Sequence, residues 1–415
     1  MSSKIHRICI ALVAVGAIGA TFGVSTASAT TLSPAVTLTN GQFVDTTSGA
    51  PVAMNCTDVI KLDVSYLQLA QAGGFNCIRV RVPWATIEKE DGVFDTTKLE
   101  AFLSAADSAG MMIFIDNHQI RSSSTCFKQG AVGIPEWFYR EIHHCSVAYK
   151  NSSLAAWWTS TRGKAAYGAF LQNQAELCAE HPYCVGEGIW NEPGGSACNT
   201  QTGANSILAW EHGMLVILRK YNAGREISFM VCGGGDLWLM HADLKQVWGT
   251  NPTNIVLNKA HAALEFHFYI NGKRHAGCAI NDLSPNGGAW CPSWPATHNQ
   301  ADLNYGGCTA TSFTPAQQAA ALAVETAQLA IPLQRSRAQH IGLIVGEWGI
   351  QLGDCGASVY QPQMMHLFKK DTISANVRYS LTSRPETSSP STLELENGGV
   401  WNTNGKQMQQ LLGVS

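Results

Sequence analysis

Eight short β-rich runs alternate with amphipathic segments along this 415-residue chain, and no other feature restricts its fold so strongly. The runs are VAMNC (52–56), CIRVRVP (77–83), MIFIDNH (112–118), VGEGIWNEP (185–193), ISFMVC (227–232), LEFHFY (264–269), GLIVGEWG (342–349) and NVRYSLT (376–382). Between them lie segments such as TKLEAFLSAADSAG (97–110), GKAAYGAFLQNQAELCAE (163–180) and PAQQAAALAVETAQLA (315–330). Their apolar residues recur three and four apart, the period of a helix lying on a sheet. Repeated strand–helix crossovers produce parallel strands buried on both faces. The expected α/β fold is a (β/α)8 TIM barrel, with a doubly wound open sheet as the alternative. The segment VTLTNGQFVDTTSGAPV (36–52) carries the turn signals Asn40-Gly41 and Ser48-Gly49, and reads as a short hairpin ahead of the first barrel strand. Long loops follow strands 3 and 6, from 119 to about 162 and from 270 to about 314. Loops of that length are usually functional or disordered. Both leave the C-terminal ends of strands, the face on which such barrels carry active sites.

The N-terminus has a different character. Lys4 and Arg7 precede the uncharged run Ile8–Ala20, and Ala27-Ser28-Ala29 supplies small residues suited to cleavage. That apolar run falls short of the ~20 residues a spanning helix needs. Residues 1–29 therefore read as a secretory signal peptide, and residues 30–415 as one catalytic domain. No later apolar run is long enough to span a membrane. Removing 1–29 takes away two basic residues and no acid, leaving 25 basic against 30 acidic residues. Such a chain has no electrostatic footprint for nucleic acid. Its 12 tryptophans lean towards a neutral ligand with flat faces. Twelve cysteines remain after Cys9 is removed, an even number that favours disulfides in an exported chain. Cys178 with Cys184 and Cys126 with Cys145 are candidate pairs, and Cys278, Cys291 and Cys308 crowd one loop; buried free thiols are the alternative. No C-x-x-C pair or zinc-type His/Cys spacing occurs.

Polar residues gather at the ends of otherwise apolar strands: Arg79 and Arg81, Asp116 and His118, Asn191 and Glu192, His267 and Tyr269, and Glu347. Glu192 ends the fourth run and Glu347 the seventh, so on an eight-strand ring their side chains can face each other. Two carboxylates across a sugar-sized gap suit glycoside cleavage. A protonated one serves the leaving oxygen, and an ionised one attacks carbon or activates water.

These residues resemble glycoside hydrolase family 5, the cellulase family. IWNEP and VGEWG are similar to its two signature strands, GFNCIRVRVPW (74–84) to its second strand, FIDNH (114–118) to its third and FHFY (266–269) to its sixth. The resemblance implies retention through a covalent glycosyl-enzyme, with Glu192 as acid/base and Glu347 as nucleophile. It further implies that Asn191 binds the sugar 2-hydroxyl, that Arg79 and Tyr269 stabilise Glu347, that His267 lies near the acid/base, and that His118 contacts the sugar. On this reading Glu192 sits in a drier setting that keeps it protonated. Two features depart from the family pattern. The eighth run has no tryptophan to floor the reacting sugar, leaving Tyr379 or a loop tryptophan for that place. The first run also lacks Arg-Gly-Val-Asn. Trp84, Trp137, Trp290 and Trp294 are candidates for the cleft, the last two foremost because AWCPSW lies in the loop after strand 6.

The expected protein is a secreted monomeric β-glycosidase acting on an oligo- or polysaccharide or glycoconjugate without metal or cofactor. Endo-β-glucanase and β-mannanase lead. An exo-β-glucanase, a glycolipid-cleaving enzyme or a transglycosylase is the alternative, and a non-catalytic carbohydrate-binding barrel is the reading from another class.

Overall fold

The computed structural model of the protein describes residues 31–118, 133–143, 160–193, 201–222, 224–230, 261–268, 315–349, 357–381, 394–397 and 400–414. It opens with the antiparallel hairpin β1 (Val36–Thr39) and β2 (Gln42–Asp45). The link between them is Asn40-Gly41, both at positive φ (52° and 81°), the conformation that lets a two-residue turn follow the strand twist.

Eight parallel strands then close into a barrel: β3 (Met54–Val59), β4 (Cys77–Arg81), β5 (Met112–Asp116), β6 (Cys184–Gly188), β7 (Glu226–Met230), β8 (Ala262–Phe268), β9 (Gly342–Trp348) and β10 (Ala375–Arg378). β10 pairs back onto β3, so the sheet has no edge and the open-sheet alternative is excluded. Helices Thr97–Ala109, Thr161–Ala179, Gln201–Leu218, Pro315–Gln339 and Ala357–Lys370 are among the connections. Local chemistry sets their limits. Gly110, at φ 64°, stops the first of them. Ser160 caps the second by accepting a hydrogen bond from the Gly163 N–H at 2.9 Å.

Successive strand residues face opposite ways, so each strand feeds two cores. Ile78, Val80, Ile113 and Ile115 pack outwards in the core that includes the helices. Inwards, Met54, Cys56, Cys77, Met112, Phe114, Val185, Ala263, Ile344, Ala375 and Val377 join Leu38 and Phe43 of the hairpin. The hairpin thus stoppers the barrel at the strands' N-terminal ends, with Phe43 edge-on to Phe114 at 5.6 Å. Further along the same strands, polar side chains become frequent.

Several expectations are revised. The fourth strand ends at Gly188 rather than at Glu192, because Ile189 and Trp190 leave the sheet and pack into the outer core. Trp84 is no cleft residue: it is fully buried among Trp137, Phe138, Tyr167 and Phe170. Cys178 and Cys184 are bonded as expected. A second disulfide, Cys56–Cys77, joins neighbouring strands inside the barrel. The possible pairing of Cys126 with Cys145 and the Cys278, Cys291, Cys308 group lie outside the described residues. Among those residues no helix is long and apolar enough to cross a membrane.

The Cys56–Cys77 bond spans 21 residues and lies two register positions below the Asp58–Arg79 pair. Constraint of an unfolded loop of this size is worth about 3 kcal/mol. The double variant Cys56→Ala/Cys77→Ala should lose about that much in urea unfolding, whereas reductant should destabilise the wild type and leave the variant's remaining loss small.

Candidate active site

A guanidinium sits at the centre of the polar layer. Arg79, from β4, is 4% exposed. Its Nη1 lies 2.9 Å from Asp116, 3.1 Å from Glu347 and 3.3 Å from Asp58. Its Nη2 donates to Asn191 Oδ1 at 2.9 Å and lies 3.1 Å from Glu265. Burial opposes the arginine's charge, but the surrounding carboxylates outweigh it and hold the group protonated. Arg81, two residues on, takes the other side of Asp58. Its guanidinium also lies 4.8 Å from the centre of the Tyr379 ring, just past β10.

Asn191 and Glu192 occupy the segment after β6, and its anchors are specific. Tyr167 donates to the Ile189 carbonyl at 2.6 Å. Asn117 Nδ2 donates to the Gly188 carbonyl at 2.7 Å, and the Asn191 N–H donates back to the Asn117 carbonyl at 3.1 Å. Trp190 packs edge-on against Tyr167 and Trp210. Glu192 follows in the left-handed region at φ 46°, rare for a residue with a Cβ, and its N–H reaches the Met230 sulfur. Backbone held this way turns the Glu192 side chain towards β8 and β9 rather than along β6.

There it meets His267. The ring Nδ1 lies 2.8 Å from Glu192 Oε1 and 3.6 Å from Glu347 Oε2. Reactive atoms of Glu192, His267 and Glu347 all fall within 4.8 Å of one another, so one imidazole bridges the two carboxylates. Burial favours the neutral form of each acid, but the cations win. Hydrogen bonding and charge from His267 carry Glu192 down to about 2. His267, Arg79 and Arg81 hold Glu347 below the usual range. Burial lowers His267 itself, yet Glu347 and Glu192 raise it overall. The electrostatics of the free protein thus favour an ionised Glu192 beside a protonated His267, rather than the dry, protonated acid expected, and the Glu192 side chain is 39% exposed.

His118 joins the same cavity. Its Nδ1 lies 2.6 Å from Asp116, and burial, with Arg81 nearby, keeps the ring neutral. Burial also pushes Asp116 up to about 6 against the pull of Arg79. His118 Nε2 and Asn191 Nδ2 are buried polar atoms without a hydrogen-bond partner among the described residues. Such atoms are costly unless something completes them, and hydroxyl groups of a bound molecule would do so.

Six expected residues, Arg79, His118, Asn191, Glu192, His267 and Glu347, thus converge. Tyr269, Trp290 and Trp294 lie outside the described residues. Asp58 and Glu265 were missed. Each stands two positions from an inward residue, Cys56 and His267 respectively, so the two-residue period was the available signal.

A family sequence model, Cellulase (glycosyl hydrolase family 5), matches residues 47–382. Solved structures share the fold at low identity. One is a mannanase catalytic domain from Streptomyces sp. SirexAA-E, at 13% identity, 99% coverage of this chain, 95% of the other, and TM-score 0.54. Another is endo-glycoceramidase II from Rhodococcus sp., at 12%, 87%, 79% and 0.63 in the same order. A third is an endoglucanase from Pseudomonas stutzeri, at 12%, 87%, 94% and 0.52. No curated protein matches the chain.

The Glu192–His267 pair generates a pH signature. A lowered carboxyl stabilises the fold above its unfolded value, about 4.3, and loses that contribution as pH falls through its folded value. A raised imidazole stabilises it below about 6.5 and loses that contribution as pH rises through its folded value. The stability gap between wild type and Glu192→Gln in urea unfolding should be widest from about pH 4.3 to 6.5 and narrow on both sides.

Proposed function

Since the chain belongs to glycosyl hydrolase family 5, the cellulase family, we propose that it is a secreted, retaining β-glycosidase that cleaves a neutral β-linked glycan, of endo-β-glucanase or β-mannanase type. The observation that carries this reading is the facing pair Glu192 and Glu347, bridged by His267 and backed by Arg79. One oxygen of each carboxyl lies within 4.8 Å of the other, which supports the shorter, retaining spacing. Retaining enzymes keep their two carboxyls roughly 5–5.5 Å apart, and inverting ones 6.5–9.5 Å.

In the proposed reaction Glu347 Oε attacks the anomeric carbon while Glu192 gives a proton to the departing oxygen. Glu347 suits attack because Arg79, Arg81 and His267 keep it ionised. Glu192 must first acquire its proton, and His267 Nδ1 is in direct contact to supply it. In water the exposed Glu192 carboxylate is well solvated. A sugar seated over it removes that solvation and favours the neutral acid. The shared proton then crosses from imidazole to carboxyl, and breakage of the glycosidic bond takes it on to the leaving hydroxyl. Water, deprotonated by Glu192, completes the second displacement and releases Glu347.

His118 Nε2 and Asn191 Nδ2 are proposed to meet the sugar hydroxyls, and Tyr379 to provide an aromatic surface where the family places a tryptophan. Tyr269, Trp290 and Trp294 keep their proposed roles in binding. Residues 1–29 are proposed as the removed signal peptide, with 30–415 as the catalytic domain. Two disulfides fit an oxidising destination.

A panel of cello- and manno-oligosaccharides, aryl β-glycosides and a glycosphingolipid tests the substrate class, and product anomers read by NMR test the stereochemistry. Glu347→Gln should lose activity by roughly a thousandfold or more on every substrate. Glu192→Ala should lose roughly 10²–10⁴-fold on natural glycans but far less on aryl glycosides whose leaving groups need no proton. An inverted first-formed product overturns the covalent mechanism, and no turnover anywhere on the panel favours a carbohydrate-binding barrel.

A further inference from the structure

Glu265 is a buried acid for which the proposed reaction has no use. It lies inside the barrel on β8, two residues before His267, and is 5% exposed. Its Oε2 accepts a hydrogen bond from Ser228 Oγ of β7 at 2.6 Å, and its Oε1 lies 3.1 Å from Arg79 Nη2. Neighbouring strands leave room for it. A Cβ at Gly346, immediately before Glu347, would overlap the Glu265 carboxyl, lying 2.7 Å from its carbon, so the carboxyl occupies the space that a side chain there would take. A Cβ at Gly188 would stand 3.4 Å from Oε2. Side chains from β4, β7 and β8, and missing ones on β6 and β9, therefore fit this carboxyl in one place.

Arg79 does not need it as a counter-ion, because Asp58, Asp116 and Glu347 already crowd Nη1. What Glu265 supplies is direction. A guanidinium is a planar fork with fixed donor directions. Asn191 accepts a hydrogen bond from Nη2, and the Glu265 carboxylate draws the same nitrogen by charge from 3.1 Å, so the two together bias the plane in which Nη1 meets Glu347. Glu265 also competes with Glu347 for one positive charge. An arginine given wholly to Glu347 would stabilise its anion more and weaken it as a nucleophile.

We propose that Glu265 is a positioning residue which orients Arg79 and, by sharing it, keeps Glu347 reactive enough to attack carbon. The proposal rests on the retaining reading above for the word attack, while the coupling between Glu265 and the bridged pair stands without it. The charged and titratable groups around the unit are these. Glu265 faces Arg79 of β4, Glu226 of β7 and Glu211 of helix Gln201–Leu218. Glu347 faces Arg79 and Arg81 of β4, Asp116 of β5, Glu192 after β6 and His267 of β8. Asp58 of β3 ties the two arginines together.

The test compares wild type with Glu265→Gln, nearly isosteric, and Glu265→Asp, which keeps the charge but withdraws it by one methylene. Two readouts are used: the pH profile of kcat/KM on an aryl β-glycoside, and NMR titration of the His267 ring protons in the substrate-free protein. Loss of the Glu265 charge leaves Arg79 less compensated. In Glu265→Gln the acid limb should move to lower pH by roughly half a unit or more, and kcat/KM should fall roughly tenfold or more with little change in KM. His267 should titrate at lower pH for the same reason. Glu265→Asp should shift both readouts in the same direction but less, and carries the test if Glu265→Gln does not fold. A wild type inactive on all glycosides but with a shifted His267 in the variant would sink the glycosidase reading and leave the coupling intact. An active variant with an unmoved acid limb and an unmoved His267 overturns the proposal, even if its melting temperature drops.

Discussion

Burying one guanidinium inside a barrel dictates most of what surrounds it. An arginine removed from water is tolerable only if opposite charge and acceptors replace its hydration. Arg79 obtains them from five strands or strand ends at once: Asp58, Asp116, Asn191, Glu265 and Glu347. Each of these acids is then itself buried and depends on the arginine. Removing any member therefore changes how that one positive charge is shared among the rest, which makes the upper barrel one electrostatic unit rather than a set of independent side chains. Its lower half needs no such arrangement, because Met54, Phe114, Val185, Ile344 and Val377 fill it with apolar volume.

Eight strands were readable from the sequence because burial on both faces leaves continuous apolar runs that few other elements produce. The polar residues closing those runs, Arg79, His118, His267 and Glu347, were readable as interruptions of the same pattern. Where two structures share one pattern, the reading failed. Ile189 and Trp190 prolong the apolar run of β6, yet they face helices, and the sheet ends before them. Trp84 looks like a cleft aromatic but is held in the outer core. The Cys56–Cys77 bond depends on the register between β3 and β4, which a one-dimensional pattern does not encode. Glu265 sits inside an apolar run and Asp58 just past the end of one, and only the knowledge that those strands face a buried arginine gives them a purpose.

His267 changes how the two carboxylates are understood. Opposite protonation of the pair is usually assigned to two separate environments, one dry and one wet. Here both acids lean on one imidazole, and burial acts on both. The asymmetry lies instead in solvent access, since Glu192 is 39% exposed and Glu347 only 7%. On the proposed mechanism, covering the exposed partner would make the acids differ, so that occupancy of the site and readiness of the acid would arise from the same event.

The N-terminal hairpin bears on a different matter. Leu38 and Phe43 close the barrel beneath the polar layer, so among the described residues Glu192 and Glu347 are shut off from solvent at that end. If the proposed reaction occurs, a departing fragment and the molecule that replaces it would both pass at the opposite end. How long the departing piece lingers there decides whether water or a second sugar arrives first. Outcomes that look like a choice of chemistry would then be settled by traffic.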